Sequence, residues 1–126
     1  METKAKEIKS YKDLIVWQKS IELVVEIYRI TKLFPKEELY GITSQMRRAV
    51  VSIPSNIAEG YSRRHRKEYS QFIRTSFGSG AELETQIIVS KRLNFVPVQE
   101  FKKADNLLEE IMKMLNSLYF SLVASG

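Results

Sequence analysis

The sequence contains no cysteine and a single histidine, His65. Without cysteine, disulfides and thiolate metal sites are excluded, and a reducing compartment is the natural environment for the chain. One imidazole cannot build a histidine-cluster metal site within one chain. The sequence therefore predicts no metal and no other cofactor.

Long hydrophobic runs are also missing. No segment approaches the ~20 apolar residues that span a bilayer, and the charged start METKAKEIKSYKD lacks the apolar core of a secretory signal. We therefore expect a soluble, cytoplasmic protein with no membrane partner. Apolar residues make up 44% of the 126 residues, enough for one domain with its own core. We expect residues 1–10 to be flexible and residues 11–126 to form that domain.

Alternation of apolar and polar residues with a period of two is absent over any useful length, which argues against a sheet. Four segments instead repeat apolar residues at spacings of three and four, as amphipathic helices do. The last segment has the most regular pattern, formed by Ala104, Leu108, Ile111, Leu115, Leu118 and Leu122. Short connections make successive helices antiparallel neighbours. The sequence predicts an all-α, up-down-up-down antiparallel four-helix bundle.

The first predicted helix follows Asp13, a candidate N-cap, and carries two apolar stripes. The stripes are Trp17, Ile21, Val24 and Tyr28, and then Leu23, Ile27, Ile30 and Phe34. A helix of an isolated bundle needs only one apolar face. The second stripe therefore either meets another subunit or lies deep in its own bundle.

The second and third predicted helices contain residues that disfavour helix. Pro54 interrupts the second, but the apolar spacing keeps its phase, so we expect a kink near Pro54 rather than a stop. Gly60 fits the position just after a helix, where a positive φ is needed. Gly78, Ser79 and Gly80 either allow close approach of a neighbouring helix or form a loop that splits the third helix.

No catalytic set is recognisable. The chain has no Ser-His-Asp arrangement, no glycine-rich phosphate loop after a strand and no di-iron Glu-x-x-His motif. Glu84 falls in phase with buried positions, so it is either an acid–base group or, as we favour, the partner of Arg47 or Arg48 in an ion pair. The sequence predicts a protein that is not an enzyme.

The strongest candidate for a binding surface is the segment 61–67, which we call the basic elbow. With residues 68–74 it holds five cations against one carboxylate, Glu68, a net charge of +4. Cations would neutralise phosphates and neighbouring tyrosines could stack on unpaired bases. The candidate nucleic-acid-binding residues are Arg63, Arg64, Arg66, Lys67, Arg74, Tyr61 and Tyr69. The alternative is a solvated, functionally incidental end of the bundle.

The runs MRRAVVSIPSNIAEGYSR and FIRTSFGSGAELETQI resemble the four-helix-bundle proteins encoded by intervening sequences of bacterial 23S rRNA genes. The similarity spans roughly residues 11–122 and extends to the accessory variability protein of diversity-generating retroelements, which shares the fold. The resemblance implies one continuous third helix and a ring-like homopentamer.

The resemblance also marks a structural signature at Pro54, Ser55, Asn56, Glu59 and Gly60. Locally, Ser55 and Asn56 are placed to hydrogen-bond carbonyls that Pro54 leaves free, and Glu59 is placed to anchor the basic elbow.

Two functional hypotheses follow. In the first, a homo-oligomer binds structured RNA, or an RNA–DNA intermediate, through the basic elbow. In the second, it is a scaffold for a protein partner, such as a reverse transcriptase, with no direct nucleic-acid role.

Overall fold

A computed structural model describes residues 7–124 as a bundle of four helices, with no strand in that range. Each helix packs against its sequence neighbours, and the last also packs against the first, which closes the bundle. The predicted all-α four-helix fold is confirmed. Residues 1–6 of the predicted flexible N-terminus lie outside the described residues. The helices are α1 (Ile15–Thr31), α2 (Ser44–Tyr61), α3 (Arg66–Arg92) and α4 (Lys102–Ala124).

The core settles which stripe of α1 faces inward. The second stripe is buried from Leu23 to Phe34, so it belongs to its own bundle and not to a subunit contact. The first stripe is the outer one, since Ile21 and Tyr28 are exposed. The other helices add to the core Met46, Val50, Ile53, Ile57, Ile73, Leu83, Ile87, Leu108, Ile111 and Leu115.

The start of α1 differs from the prediction. Asp13 does not cap α1, because its carboxylate accepts the backbone amides of Lys9 and Ser10. Ser10 in turn accepts the amide of Lys12, which forms a capping box around a short 3-10 turn. Leu14 then occupies the N-cap of α1 without a side-chain bond.

The connection from α1 to α2 is built from two tight turns. A 3-10 turn over Lys36–Glu38 follows Pro35, and a π-type turn covers Leu39–Thr43. Gly41 breaks the helical geometry with φ −110° and ψ −117°. For this reason α2 begins only at Ser44.

Helix α2 continues through Pro54, as the unbroken apolar phase predicts; the kink stays a prediction. Ser55 Oγ donates to the carbonyl of Val51 at 2.8 Å, and Asn56 Nδ2 donates to the carbonyl of Ser52 at 2.8 Å. Proline has no backbone amide, so Pro54 leaves the carbonyl of Val50 without its helical hydrogen bond. Neither side chain bonds that carbonyl, although both were predicted to bond carbonyls that Pro54 leaves free. The two side chains instead reinforce the next two carbonyls along the helix.

One glycine sets how closely two of the helices approach. The positive φ predicted at Gly60 is wrong: Gly60 lies inside α2, and none of the described glycines has a positive φ. A Cβ at Gly60 would lie 2.7 Å from Cβ of Phe72, so glycine is needed for close packing against α3. A Cβ at Gly80 would instead meet the flexible end of the Met112 side chain, which can move aside, and a Cβ at Gly78 would meet nothing within 4 Å.

Helix α3 is continuous through Gly78, Ser79 and Gly80, as the resemblance implies, and no loop splits it. It ends in a Schellman motif. Asn94 has a φ of 56°, and the amides of Asn94 and Phe95 bond back to the carbonyls of Lys91 and Ser90. A 3-10 turn then leads directly into α4.

Candidate nucleic-acid interface

The basic elbow joins the C-terminus of α2 to the N-terminus of α3. Ser62 does not cap α3, because its hydroxyl donates to the Glu59 carbonyl and closes the last turn of α2. The Glu59 carboxylate accepts Arg63 Nη2 at 2.8 Å, so Glu59 anchors the elbow as predicted. The Arg63 guanidinium also lies 4.8 Å from the Phe72 ring centroid. Arg63 is therefore held by the protein itself.

Arg66 joins two helices. Its Nη2 donates to the carbonyl of Ser121 at 2.9 Å, and its Nε lies 3.4 Å from the carbonyl of Leu122. These carbonyls belong to the last turn of α4, where a cation also complements the negative end of the helix dipole. The structural role of Arg66 is therefore clear: it ties the start of α3 to the end of α4.

Arg74 lies over two aromatic rings, 5.0 Å from the Tyr119 centroid and 5.9 Å from the Phe77 centroid. The residue is nevertheless exposed, so the two rings position its guanidinium without burying it. Arg74 is thus prepositioned but still accessible.

Arg64 and Lys67 differ from the other cations of the elbow. Both side chains are exposed, and neither forms an ion pair, hydrogen bond or ring contact within residues 7–124. The backbone carbonyl of Lys67 accepts the Ser70 hydroxyl, which leaves its ammonium group without a described partner. Between them lies His65, the N-cap of α3, which makes no side-chain capping bond. The first amides of α3 therefore have no capping side chain and, like those of any helix start, carry partial positive charge. Two unpaired cations thus flank an uncapped helix N-terminus.

Tyr61 and Tyr69 pack edge to face, with centroids 6.0 Å apart and planes at 81°. Burial raises the pKa of Tyr69 to about 12, with a smaller contribution from Tyr61. Both rings are half-buried, and Tyr69 also borders the close contact at Gly60. This packing leaves little free ring face, which weakens the prediction that these tyrosines stack on bases.

The structure adds two aromatic residues that the sequence analysis missed. Tyr119 and Phe120 contact each other edge to face at 5.4 Å, and Phe120 is 56% exposed. Arg74 links this pair to α3. The signal was present in the sequence, because Phe120 falls midway between the seam residues Leu118 and Leu122 and so could not point inward with them.

The ion pair predicted for Glu84 is not formed. Glu84 and Arg48 are both exposed, and Arg48 has no ion-pair partner among residues 7–124. Arg47 Nε donates instead to Thr31 Oγ1 at 3.0 Å. Glu84 lies one position beyond Leu83, far enough around the helix to leave the core. Arg47 also lies 4.6 Å from the Tyr28 ring centroid.

The buried carboxylate is a residue that the sequence analysis did not single out. Glu26 is only 7% exposed and accepts Arg29 Nη2 at 2.6 Å. Arg29 reaches Glu100 at 3.0 Å as well. The hydrogen bonds that Arg29 donates to Glu26 and, to a lesser extent, to Glu100 raise the pKa of Arg29. The three residues form a bridge between α1 and the turn before α4.

Neither a metal site nor a membrane span is found in the described part of the chain. No group of three His, Cys, Asp or Glu side chains in residues 7–124 could hold a metal ion. In the same range, no helix has the length and apolar character required to cross a bilayer.

Comparison with known proteins identifies a family and a fold. The family model described as "23S rRNA-intervening sequence protein" matches residues 12–117. A solved structure of a protein of unknown function from the S23 ribosomal protein family of Bacteroides thetaiotaomicron superposes with a TM-score of 0.77. It is 23% identical and covers 83% of this chain and 98% of its own. At that identity the likeness shows the fold. No curated protein matches the sequence.

Proposed function

Because the chain belongs to the 23S rRNA-intervening sequence protein family, we propose that it is a non-catalytic homo-oligomer that binds structured nucleic acid through the basic elbow. The nucleic acid is the RNA of an rRNA intervening sequence or, in a retroelement, RNA or an RNA–DNA intermediate. The observation that carries the proposal is the unpaired state of Arg64 and Lys67 beside the uncapped start of α3.

The chemistry of this site suits phosphate. The side chains of Arg64 and Lys67 have no partner among residues 7–124 to give up, so contact with a phosphate releases counterions without breaking a described ion pair. The amides of α3 add donors of the kind that bind anions at helix N-termini. Arg74, Tyr119 and Phe120 lie along the adjoining α3–α4 face and offer a ring surface for an unpaired base.

Self-association is the second part of the proposal. The outer face of α1 and α2 exposes apolar side chains, with Val25 66% exposed. A shallow hollow on this face is lined by Trp17, Val24 and Pro54, among others. We assign this face to the contact between subunits and, from the family resemblance, five subunits to the ring. A ring would repeat the elbow and convert weak single-site binding into avidity.

A matched pair of charge reversals tests the binding surface. Arg64→Glu with Lys67→Glu reverses the two elbow cations whose side chains have no described partner. Lys102→Glu with Lys103→Glu reverses two exposed lysines on α4 that likewise form no ion pair within residues 7–124. Each pair changes the net charge equally. Binding to a structured RNA hairpin is followed by fluorescence anisotropy at several salt concentrations. We expect the elbow pair to weaken binding about tenfold or more and to reduce the salt slope by ~0.9 per lost phosphate contact.

The control pair is expected to change affinity only slightly, through the general field of the protein. Equal losses for the two pairs, or binding that does not respond to salt, would contradict a phosphate site at the elbow.

The alternative function is a scaffold for a protein partner, such as a reverse transcriptase. The exposed apolar face of α1 and α2 favours it, because unpartnered apolar patches mark protein contacts. Here partner capture would survive nuclease treatment and the elbow reversals.

Val25→Glu tests whether the exposed apolar face of α1 and α2 forms the contact between subunits. Mass by light scattering is expected to fall from an oligomer to a monomer, whereas Ile88→Glu, at an exposed site on α3, leaves the mass unchanged. An unchanged mass for Val25→Glu would remove this face from the subunit contact.

A further inference from the structure

A small cleft lies at the end of the bundle opposite the basic elbow. It is bounded by the end of α1, the connection to α2 and the first turn of α2, and its volume is about 350 Å³. That volume falls at the lower end of the ~300–1,000 Å³ typical of small-molecule sites. The lining residues are Thr31, Lys32, Phe34, Pro35, Lys36, Leu39, Thr43 and Arg47.

Thr43 gives the cleft an unused hydrogen-bonding group. The residue is 2% exposed, and its hydroxyl has no hydrogen-bond partner among residues 7–124. It occupies the N-cap of α2, but with φ −57° and ψ −51° it makes no capping bond to the helix. A buried hydroxyl without a partner destabilises the folded state, because it has lost its water and gained no hydrogen bond in return. The hydroxyl is therefore a donor that a ligand could satisfy.

Three cationic residues line the same cleft as Thr43. Arg47 is held through Nε by Thr31 and by the ring of Tyr28, and its two terminal nitrogens have no hydrogen-bond partner among the described residues. Lys32 and Lys36 are exposed at the rim and form no ion pair with a described residue. Arg47 is thus a preorganised donor, and the two lysines add positive charge at the entrance.

The remaining walls are apolar. Phe34, Pro35 and Leu39 line the cleft together with the aliphatic stems of the cationic residues. The same connection carries Glu37 and Glu38, but neither lines the cleft. The lining therefore combines positive charge and a free hydroxyl with a hydrophobic surface.

We infer that this cleft binds a small organic anion, an oxyanion group carried on a compact apolar body. The oxyanion accepts hydrogen bonds from the terminal nitrogens of Arg47 and from the Thr43 hydroxyl. The apolar body packs against Phe34 and Leu39. This site is separate from the proposed nucleic-acid surface, and neither depends on the other.

Three probes separate the parts of the site: phenyl phosphate carries both features, inorganic phosphate only the charge, and phenol only the ring. Backbone amide shifts are followed by NMR during each titration. We expect phenyl phosphate to shift amides of residues 31–47 in a saturable way, with an affinity at least fivefold above that of inorganic phosphate. Phenol is expected to leave these amides unchanged.

Two threonine variants test the hydroxyl. Thr43→Val is nearly isosteric and is expected to lower the phenyl phosphate affinity at least fivefold without loss of folding stability. Thr85→Val is the control, because Thr85 is exposed on α3 and its hydroxyl bonds within that helix. Lys36→Gln, a rim variant that removes no described contact, is expected to weaken binding two- to threefold.

The source of the oxyanion is decided by competition with the RNA hairpin. Retention of phenyl phosphate in the presence of RNA is expected and assigns the cleft to a free small anion, whereas its displacement by RNA would make the cleft part of the nucleic-acid surface and overturn the proposal. Amide shifts confined to the basic elbow, or unchanged affinity in Thr43→Val, would overturn it, even if RNA binding at the elbow is established.

Discussion

Both ends of the bundle carry cations, but the ends differ in how many of those cations are already bound to other groups of the protein. At the elbow, Arg63 is paired with Glu59 and Arg66 is bonded to the end of α4. At the opposite end, the terminal nitrogens of Arg47 and the hydroxyl of Thr43 have no partner among the described residues. The end with the denser positive charge therefore has fewer free donors than its charge suggests.

This difference shows why charge counted along a sequence is a poor measure of a binding surface. The elbow is easy to recognise in the sequence because four of its cations lie within the five residues 63–67. The cleft draws Lys32, Lys36 and Arg47 from segments that only the fold brings together. What matters for a ligand is the number of donors left after the protein has satisfied its own carboxylates, carbonyls and rings.

The largest effect should come from loosening the elbow end. Gly60→Val places a branched side chain where a single Cβ would already lie 2.7 Å from Cβ of Phe72. We expect the free energy of unfolding to fall by about 3 kcal/mol, because overpacking forces α2 and α3 apart. Urea unfolding followed by circular dichroism measures it.

Gly78→Ala is the matched control on α3. Nothing lies within 4 Å of the added Cβ, so better helix propensity should raise stability by about 1 kcal/mol. Equal responses at the two glycines would show that close packing does not hold the elbow end.

The cleft end should respond to the loss of one hydroxyl but not the other. Thr31 is buried, donates to the Ile27 carbonyl at 2.7 Å and accepts Arg47 Nε. Thr31→Val should cost about 1–2 kcal/mol, because Arg47 loses a partner. Thr43→Val should leave the unfolding free energy unchanged or raise it by up to about 1 kcal/mol, since the removed hydroxyl had no partner. Denaturant unfolding of both variants checks the contrast, and a large loss in Thr43→Val would refute it.

A third pair of variants compares Arg66, which is bonded to α4, with Arg64, whose side chain has no described partner. Arg66→Gln removes the bonds to the last turn of α4 and should cost about 1 kcal/mol of stability. Arg64→Gln should change stability by less than about 0.5 kcal/mol, because the Arg64 side chain has no partner in the described part of the chain. In RNA binding we expect the reverse order, with Arg64→Gln the more damaging. Thermal unfolding compares the stability of the two variants, and fluorescence anisotropy on the same samples compares their RNA affinity.

The smallest effect concerns Tyr69. Its pKa is raised to about 12 by burial, above the ordinary value of about 10. The folded state therefore holds the proton more tightly than the unfolded state, so this contribution to stability is complete below pH ~10 and is lost as the pH rises toward ~12. Absorbance at 295 nm should show one late ionisation that Tyr69→Phe removes. An unchanged titration in the variant would exclude Tyr69 as its source.

Much of the fold was predictable because it depends on periodicity. The spacing of apolar residues in α4 and the unbroken phase across Pro54 identified helices that the structure confirms. The failures came from effects that periodicity does not encode. Gly60 was assigned to a helix end from its residue type, but the reason for glycine there is Phe72 on another helix.

The candidate site was less predictable for the same reason. The sequence places cations at the elbow but not the carbonyls of α4 that occupy Arg66, nor the rings beneath Arg74. Likewise, Glu84 shares the approximate phase of the core, and only the actual rotation of α3 shows that Gln86 takes the inward position. Which group a charged side chain contacts is decided by the tertiary structure and not by the local sequence.

The composition of α2 has a consequence for the order of folding. Its interior holds Pro54 and Gly60, each unfavourable to a helix, by ~3 and ~1 kcal/mol relative to alanine. Such a segment should have almost no helix content as an isolated peptide, whereas a peptide of α4, free of both residues, should retain some. We therefore expect α2 to become helical only as it docks on α3, after the transition state, with low φ-values along α2 and higher ones along α4.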